Sequence, residues 1–205
     1  MNRTGSSLTI ALGIALAAVA LFPPSAHASQ APNTKGRAAR AEHAVAGEVR
    51  TVEHGAKEVV IHTANSVDET VKFTERTTVR GLKAVGHATD VSAKAGLEGA
   101  TVVVTYVGEG AEKTAIAIEH VGRHPLASAK GTIVRVDKAG KWIVVETEAG
   151  AEETYHFAER VVVDGARGIE HGAEATGHAF KAGGEVIVHY SEDGGRKVAH
   201  LVHHG

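Results

Sequence analysis

The chain has 205 residues, 43% of them hydrophobic but only 4% aromatic, with 24 Gly, 4 Pro, 14 His, no Cys and a formal net charge of -2. The lack of cysteine excludes disulfide scaffolds, cysteine-ligated zinc, iron–sulfur clusters and thiol nucleophiles. A near-even 22 Lys+Arg against 24 Asp+Glu leaves neither a basic footprint for nucleic acid nor an acidic tail.

Met1 to Ala28 has the three-part build of a secretory signal. Arg3 supplies the positive start, Leu8 to Phe22 is an apolar run shorter than the roughly 20 residues a membrane span needs, and Pro23-Pro24 stop any helix. Ala26-His27-Ala28 offers small residues at the two positions a signal peptidase reads, which predicts cleavage before Ser29. The mature protein is then exported, to a periplasm or to the outside, with no stable membrane insertion. Residues 29–45 carry Ala, Ser, Gln and the basic Lys35, Arg37 and Arg40 without a periodic apolar face, and read as a flexible basic arm.

The remainder repeats itself. At an offset of 84, residues 46–120 align with 130–204 without a gap, with 22 identities in 75 positions. They include Gly47/Gly131, Lys57/Lys141, Glu69/Glu153, Phe73/Phe157, Arg76/Arg160, Gly99/Gly183, Tyr106/Tyr190, Lys113/Lys197 and His120/His204. The organisation predicted is one domain over 46–120, a linker with Pro125 over 121–129, and a second domain over 130–205.

Each copy has the periodicity of strands broken by turn residues. Val49–Glu53 and Ile133–Asp137 open the copies, Glu58–Thr63 and Trp142–Thr147 follow, and a third run, Glu69–Val79 in the first copy, ends at Gly81 and at Gly165 in the second. The period then becomes helical, with Val85, Ala88, Ser92 and Ala95 in the first copy and Ile169, Ala173, Thr176 and Phe180 in the second. Hairpins close the units: Thr101–Val107 with Lys113–His120, and Glu185–Tyr190 with Lys197–His204 around Asp193-Gly194.

Three strands, one short helix and two strands predict an all-β chain of two tandem five-stranded OB-like barrels, with SH3-like or elongation-factor-like barrels as the alternative. The opening Gly131-Thr132-Ile133-Val134-Arg135-Val136-Asp137 and the closing Ala182-Gly183-Gly184-Glu185-Val186-Ile187-Val188-His189-Tyr190, with Asp193-Gly194-Gly195, resemble the small exported β-barrel domains of unknown function that bacteria carry singly or in tandem. The resemblance implies export and fold, and no chemistry.

Candidate site residues come from the second closing hairpin. A simple two-residue turn puts Val186, Val188, Tyr190, Ala199 and Leu201 on the core face, matched by Val102, Val104, Tyr106, Ala115 and Ala117 in the first copy. His189, His200 and His204 then lie on the opposite face. There His189 pairs with Val198 and lies diagonal to His200, within reach of a shared ion. His204 stands roughly 13 Å from His200 along the strand, so a third ligand requires His204, His178 or a carboxylate to swing in. Imidazole ligates zinc, copper and nickel, but the first copy has Thr105 and Ile116 where the second has His189 and His200. Trp142, the lone tryptophan, either stacks on a sugar or peptide ligand or packs on the neighbouring domain.

No nucleophile–base pair, phosphate loop or catalytic carboxylate pair stands in recognisable spacing, so the expectation is a non-enzyme. It is a non-catalytic binding or structural module of the cell envelope, its partner an envelope protein or polymer, with no cofactor. The alternative is a histidine-dependent protein that binds or buffers zinc, copper or nickel. Histidine number adds that mild acid would turn the net charge from negative to positive, if most imidazoles titrate near 6.5.

Overall fold

The computed structural model describes residues 41–81, 86–87, 96–165, 168–172 and 180–204. The valine-rich alternation of the first copy becomes β1 (Glu42–Glu53), β2 (Glu58–Thr63), β3 (Asp68–Lys72), β4 (Thr78–Arg80), β5 (Gly86–His87), β6 (Thr101–Val107) and β7 (Thr114–Gly122). The second copy gives β8 (Ala127–Asp137), β9 (Trp142–Thr147), β10 (Glu152–Gly165), β11 (Gly168–His171), β12 (Glu185–Asp193) and β13 (Arg196–His204).

The first sheet runs β3-β2-β1-β6-β7-β4-β5, and β3 also meets β7; the second runs β11-β10-β13-β12-β8-β9, and β9 also pairs with β10. Both therefore close into five-stranded barrels once β3 and β4 count as halves of one strand. The parallel pairing of the third strand with the fifth, β4 with β7 and β10 with β13, shuts each barrel. This Greek-key closure is OB-like and decides among the small barrels that strand order alone left open. Among the described residues the only helical turn is the 3-10 turn Gly110–Glu112. Ile169, expected in a helix, lies in β11, where its neighbours pair with β10. The other expected helix residues lie outside the described ones, except Phe180, which stacks on Phe157 at 5.8 Å in the second core. The signal, its cleavage site and the three basic residues of the arm are outside them too.

The 84-residue offset persists in backbone detail. β1 carries a bulge between Val49 and Thr51 and β8 one between Ile133 and Arg135. Gly99 and Gly183, at φ 71 and 86, return the chain to those bulges by donating to the carbonyls of Val49 and Ile133, each at 2.8 Å. A side chain at either position would be strained by the left-handed backbone. Gly47 and Gly131 serve close approach instead: a Cβ would collide with the carbonyl oxygen of His62 or Glu146 across the sheet.

Each barrel fills its own core. Val49, Ile61, Val71, Phe73 and Val102 are among the residues of the first, and Ile133, Ile143, Tyr155, Phe157 and Val186 among those of the second. A second bulge corrects the closing hairpin. Tyr190 pairs with Ala199 but His189 pairs with Leu201, leaving His200 as the extra residue; the first copy does the same between Thr105 and Tyr106. The face therefore flips beyond the bulge. Val202 rather than Leu201 enters the second core, and Ile118 rather than Ala117 the first.

Leu201 instead joins Ala44, Ala46, Val103 and Val162 in a third apolar cluster, where the two barrels meet. β1 crosses β10, β11 and β13 here, and both barrels belong to one compact unit. This contact explains why strand structure starts earlier than expected. β1 opens at Glu42, inside the segment read as an arm, and β8 at Ala127, inside the segment read as linker, which leaves residues 123–126 between strands. Ala44, Val45 and Ala46 are buried, so this stretch lacks the half-polar alternation of a surface strand.

Candidate functional site

The bulge at His200 separates the three histidines singled out as ligands. His189 is 8% exposed, its ring packed edge-on against His203 with centroids 5.4 Å apart, and its Nδ1 has no hydrogen-bond partner. Burial, and to a lesser degree His203, pushes its pKa down to about 4. His200 holds the Ser191 hydroxyl at 2.9 Å through Nε2, and burial pushes it to about 4 as well. His204 turns its Nδ1 toward the Glu185 carbonyl at 3.3 Å and its ring edge toward Phe180. The neighbour that the sequence missed is His203, whose Nδ1 lies 3.4 Å from Asp164 Oδ2. Burial acts to raise the Asp164 carboxyl, but His203, the Ala44 amide and the charges of His203 and His43 together hold it below its ordinary value. Among the described residues no group of three or more His, Cys, Asp or Glu side chains is arranged to hold a metal. His178 is outside the described residues.

These burials also blunt the charge reversal. Besides His189 and His200, burial lowers His120, helped by Arg123, and His156, helped by Arg196. His189 and His200 therefore stay neutral in mild acid while the barrels remain closed, and His120 and His156 are shifted in the same direction.

Trp142 stands on the outer face of the second barrel, alternating with the core residues Ile143 and Val145. It pairs with Asp137 on one side and His156 on the other, and the Arg135 guanidinium lies 5.0 Å from its ring centre. Its indole edge rests on Gly140, and the next outward residue, Val144, is 4% exposed. Arg135 and Thr154 flank Val144 on the adjoining strands. Beside this patch a cavity of about 380 Å³ runs along His156, Thr154, Gly195, Arg196, Glu153 and Lys197, and the Nδ1 of His156 is buried without a partner. The first barrel carries Glu58, Thr51 and Lys72 where the second has Trp142, Arg135 and His156.

One constellation is shared by both barrels and closes them. Lys113 bonds Glu69 at 2.7 Å and lies over Tyr106; Lys197 bonds Glu153 at 2.6 Å and lies over Tyr190 and Tyr155. The lysine comes from the fifth strand (Lys197) or the residue just before it (Lys113), and the glutamate from the third. The pair spans the parallel closure, where β3 and β7 share a single register contact. The identities Glu69/Glu153, Tyr106/Tyr190 and Lys113/Lys197 were the signal, and the pair holds the barrel closure in both copies.

Among the described residues, no helix is long and apolar enough to cross a membrane. No protein-family model matches the chain, and no curated protein matches it. Among solved structures it is similar to the crystal structure of Ag(I)CusF, at 15% identity, over 39% of this chain and 97% of that one, with a TM-score of 0.28. It is also similar to the Drosophila Unr structure CSD456, at 15% identity, over 80% of this chain and 61% of that one, with a TM-score of 0.30. The OB-like fold rests on the strand order and pairing described above.

Proposed function

We propose that the protein is an exported, non-catalytic, two-barrel binding module of the cell envelope, with the outer face of β8, β9 and β10 as its ligand face. The observation that carries this reading is the asymmetry between the copies. Trp142, Arg135 and His156 converge on one barrel only, beside a cavity, while the duplicated features are those that close the fold. An indole held by a guanidinium, next to Thr154 and an unpartnered imidazole nitrogen, suits a flat polar polymer. Sugar rings stack on the indole, and their hydroxyls meet the polar rim. The ligand class proposed is therefore a glycan of the envelope.

As the lone tryptophan, Trp142 reports on this face directly. Soluble cell-wall glycan fragments are expected to change its fluorescence saturably, and Arg135→Ala to weaken binding about fivefold, the scale of one cation–π contact. An unchanged spectrum at millimolar fragment sinks the reading.

The second reading, histidine-dependent binding of zinc, copper or nickel, is supported by the His189–His203 pair alone. It differs from the first in being abolished by His189→Ala and untouched by Arg135→Ala.

A further inference from the structure

The contact between the barrels contains a buried charge that belongs to neither core. Glu119, near the end of β7, is 6% exposed. It faces a cavity of about 240 Å³ between the barrels, lined by Gly81, Val103 and His120 from the first and by Arg160, Glu159 and His200 from the second. Two guanidiniums reach it: Arg80 of β4, at 3.2 Å, and Arg160 of β10, at 3.4 Å. Arg80 comes from the same barrel as Glu119 and Arg160 from the other, and both keep about half of their side chains in solvent. Among the described residues a further polar tie across the contact is the Ala44 amide donating to Asp164 Oδ2 at 2.9 Å. The apolar part has five buried residues, two of them alanines, with Val121, Leu126 and Ile169 partly buried against it.

We infer that Glu119 is a charge-compensated latch, so that the barrels stay docked only while Arg80 and Arg160 together neutralise the carboxylate that docking buries. The physical reason is the cost of a lone buried charge. A carboxylate buried in a contact needs its counter-charges, and without them the cheapest escape is fuller hydration. Here hydration does not require unfolding. The cores and the strand pairings lie within the barrels, so separating the barrels about residues 123–126 exposes Glu119 and leaves both intact. The duplication argues the same way. Arg76/Arg160 is an identity between copies, yet Arg160 reaches Glu119 across the contact, whereas the second barrel has His203 at the position of Glu119.

The Ala44 amide is a built-in reporter, since its bond to Asp164 exists only across the contact. Hydrogen exchange of the full-length protein, followed residue by residue by NMR at neutral pH, gives the test. Arg80→Met/Arg160→Met is expected to speed Ala44 exchange on the order of 100-fold or more, while core amides such as those of Val104 and Val188 exchange as in the parent. Adding Glu119→Leu removes the charge and is expected to restore slow Ala44 exchange, because an apolar side chain needs no compensation. Unchanged Ala44 exchange in the double variant overturns the inference, as does failure of Glu119→Leu to restore it. Loss of protection in the cores to the same extent also overturns it, since that would be general destabilisation rather than undocking.

Discussion

Tyr155→Ala is expected to destabilise the protein by about 3–5 kcal/mol, the scale of removing a large buried aromatic ring. Tyr155 is fully buried in the second core. It meets Tyr190 edge-on at 5.0 Å and has the Lys197 ammonium 5.6 Å from its ring. Its hydroxyl donates to Glu153, so burial and this carboxylate raise its pKa. Glu153 itself is held below its ordinary value, by Lys197 first and Tyr155 second. Tyr155→Phe keeps the ring and the lysine–glutamate bridge and is expected to lose only about 1.5–2 kcal/mol, one hydrogen bond to a charged acceptor. Urea unfolding followed by Trp142, which sits on the strand paired with Tyr155's, separates the two variants. Equal losses would mean that the ring does not fill the core as described.

Acid is expected to weaken the fold steeply and in one direction. His189 and His200 sit near pKa 4 in the folded protein and return to about 6.5 when unfolded. The unfolded chain therefore binds more protons between those values, and stability is complete above about pH 6.5 and declines as pH falls toward 4. At pH 5 each histidine contributes a loss of about 2 kcal/mol, about 4 in all, and the lowered His120 and His156 act in the same sense. Urea midpoints measured from pH 7.5 to 4.5 read this directly. His189→Phe is expected to remove about half of the decline, and a midpoint independent of pH would contradict the burial assigned to both rings.

The sequence exposes the duplication because selection for strand and turn positions leaves identities in step: Gly99/Gly183 at a left-handed return, Lys113/Lys197 at the barrel closure, Phe73/Phe157 in the cores. Strand order then follows from turn residues, while the OB-like closure needed the parallel pairing of the third strand with the fifth. The bulges are harder to see. Nothing in Val198-Ala199-His200-Leu201 marks His200 as an extra residue, so counting from the Asp193-Gly194 turn puts Leu201 in the wrong cluster and His189 beside the wrong neighbour. The start of β1 was hidden for another reason. A strand covered on its second face by another barrel shows small apolar residues instead of alternation, and Ala44-Val45-Ala46 passes for an arm. The partners that matter at the candidate sites are long-range. Arg160 reaches Glu119 from 41 positions away and Asp164 meets Ala44 across 120, distances over which local pattern carries no information. Trp142 was legible as the unusual residue of its copy, but its setting between Arg135 and His156 required the register of three strands.

The most direct test of the binding account is backbone NMR of the protein titrated, in separate samples, with soluble envelope glycan fragments and with zinc. Shifts gathered on Arg135, Trp142, Val144, Thr154 and His156 with glycan, and scattered weak shifts over many histidines with zinc, are the predicted result. Saturable zinc shifts confined to His189 and His203, with the Trp142 face silent toward every glycan, would contradict it and make the protein a metal-binding one.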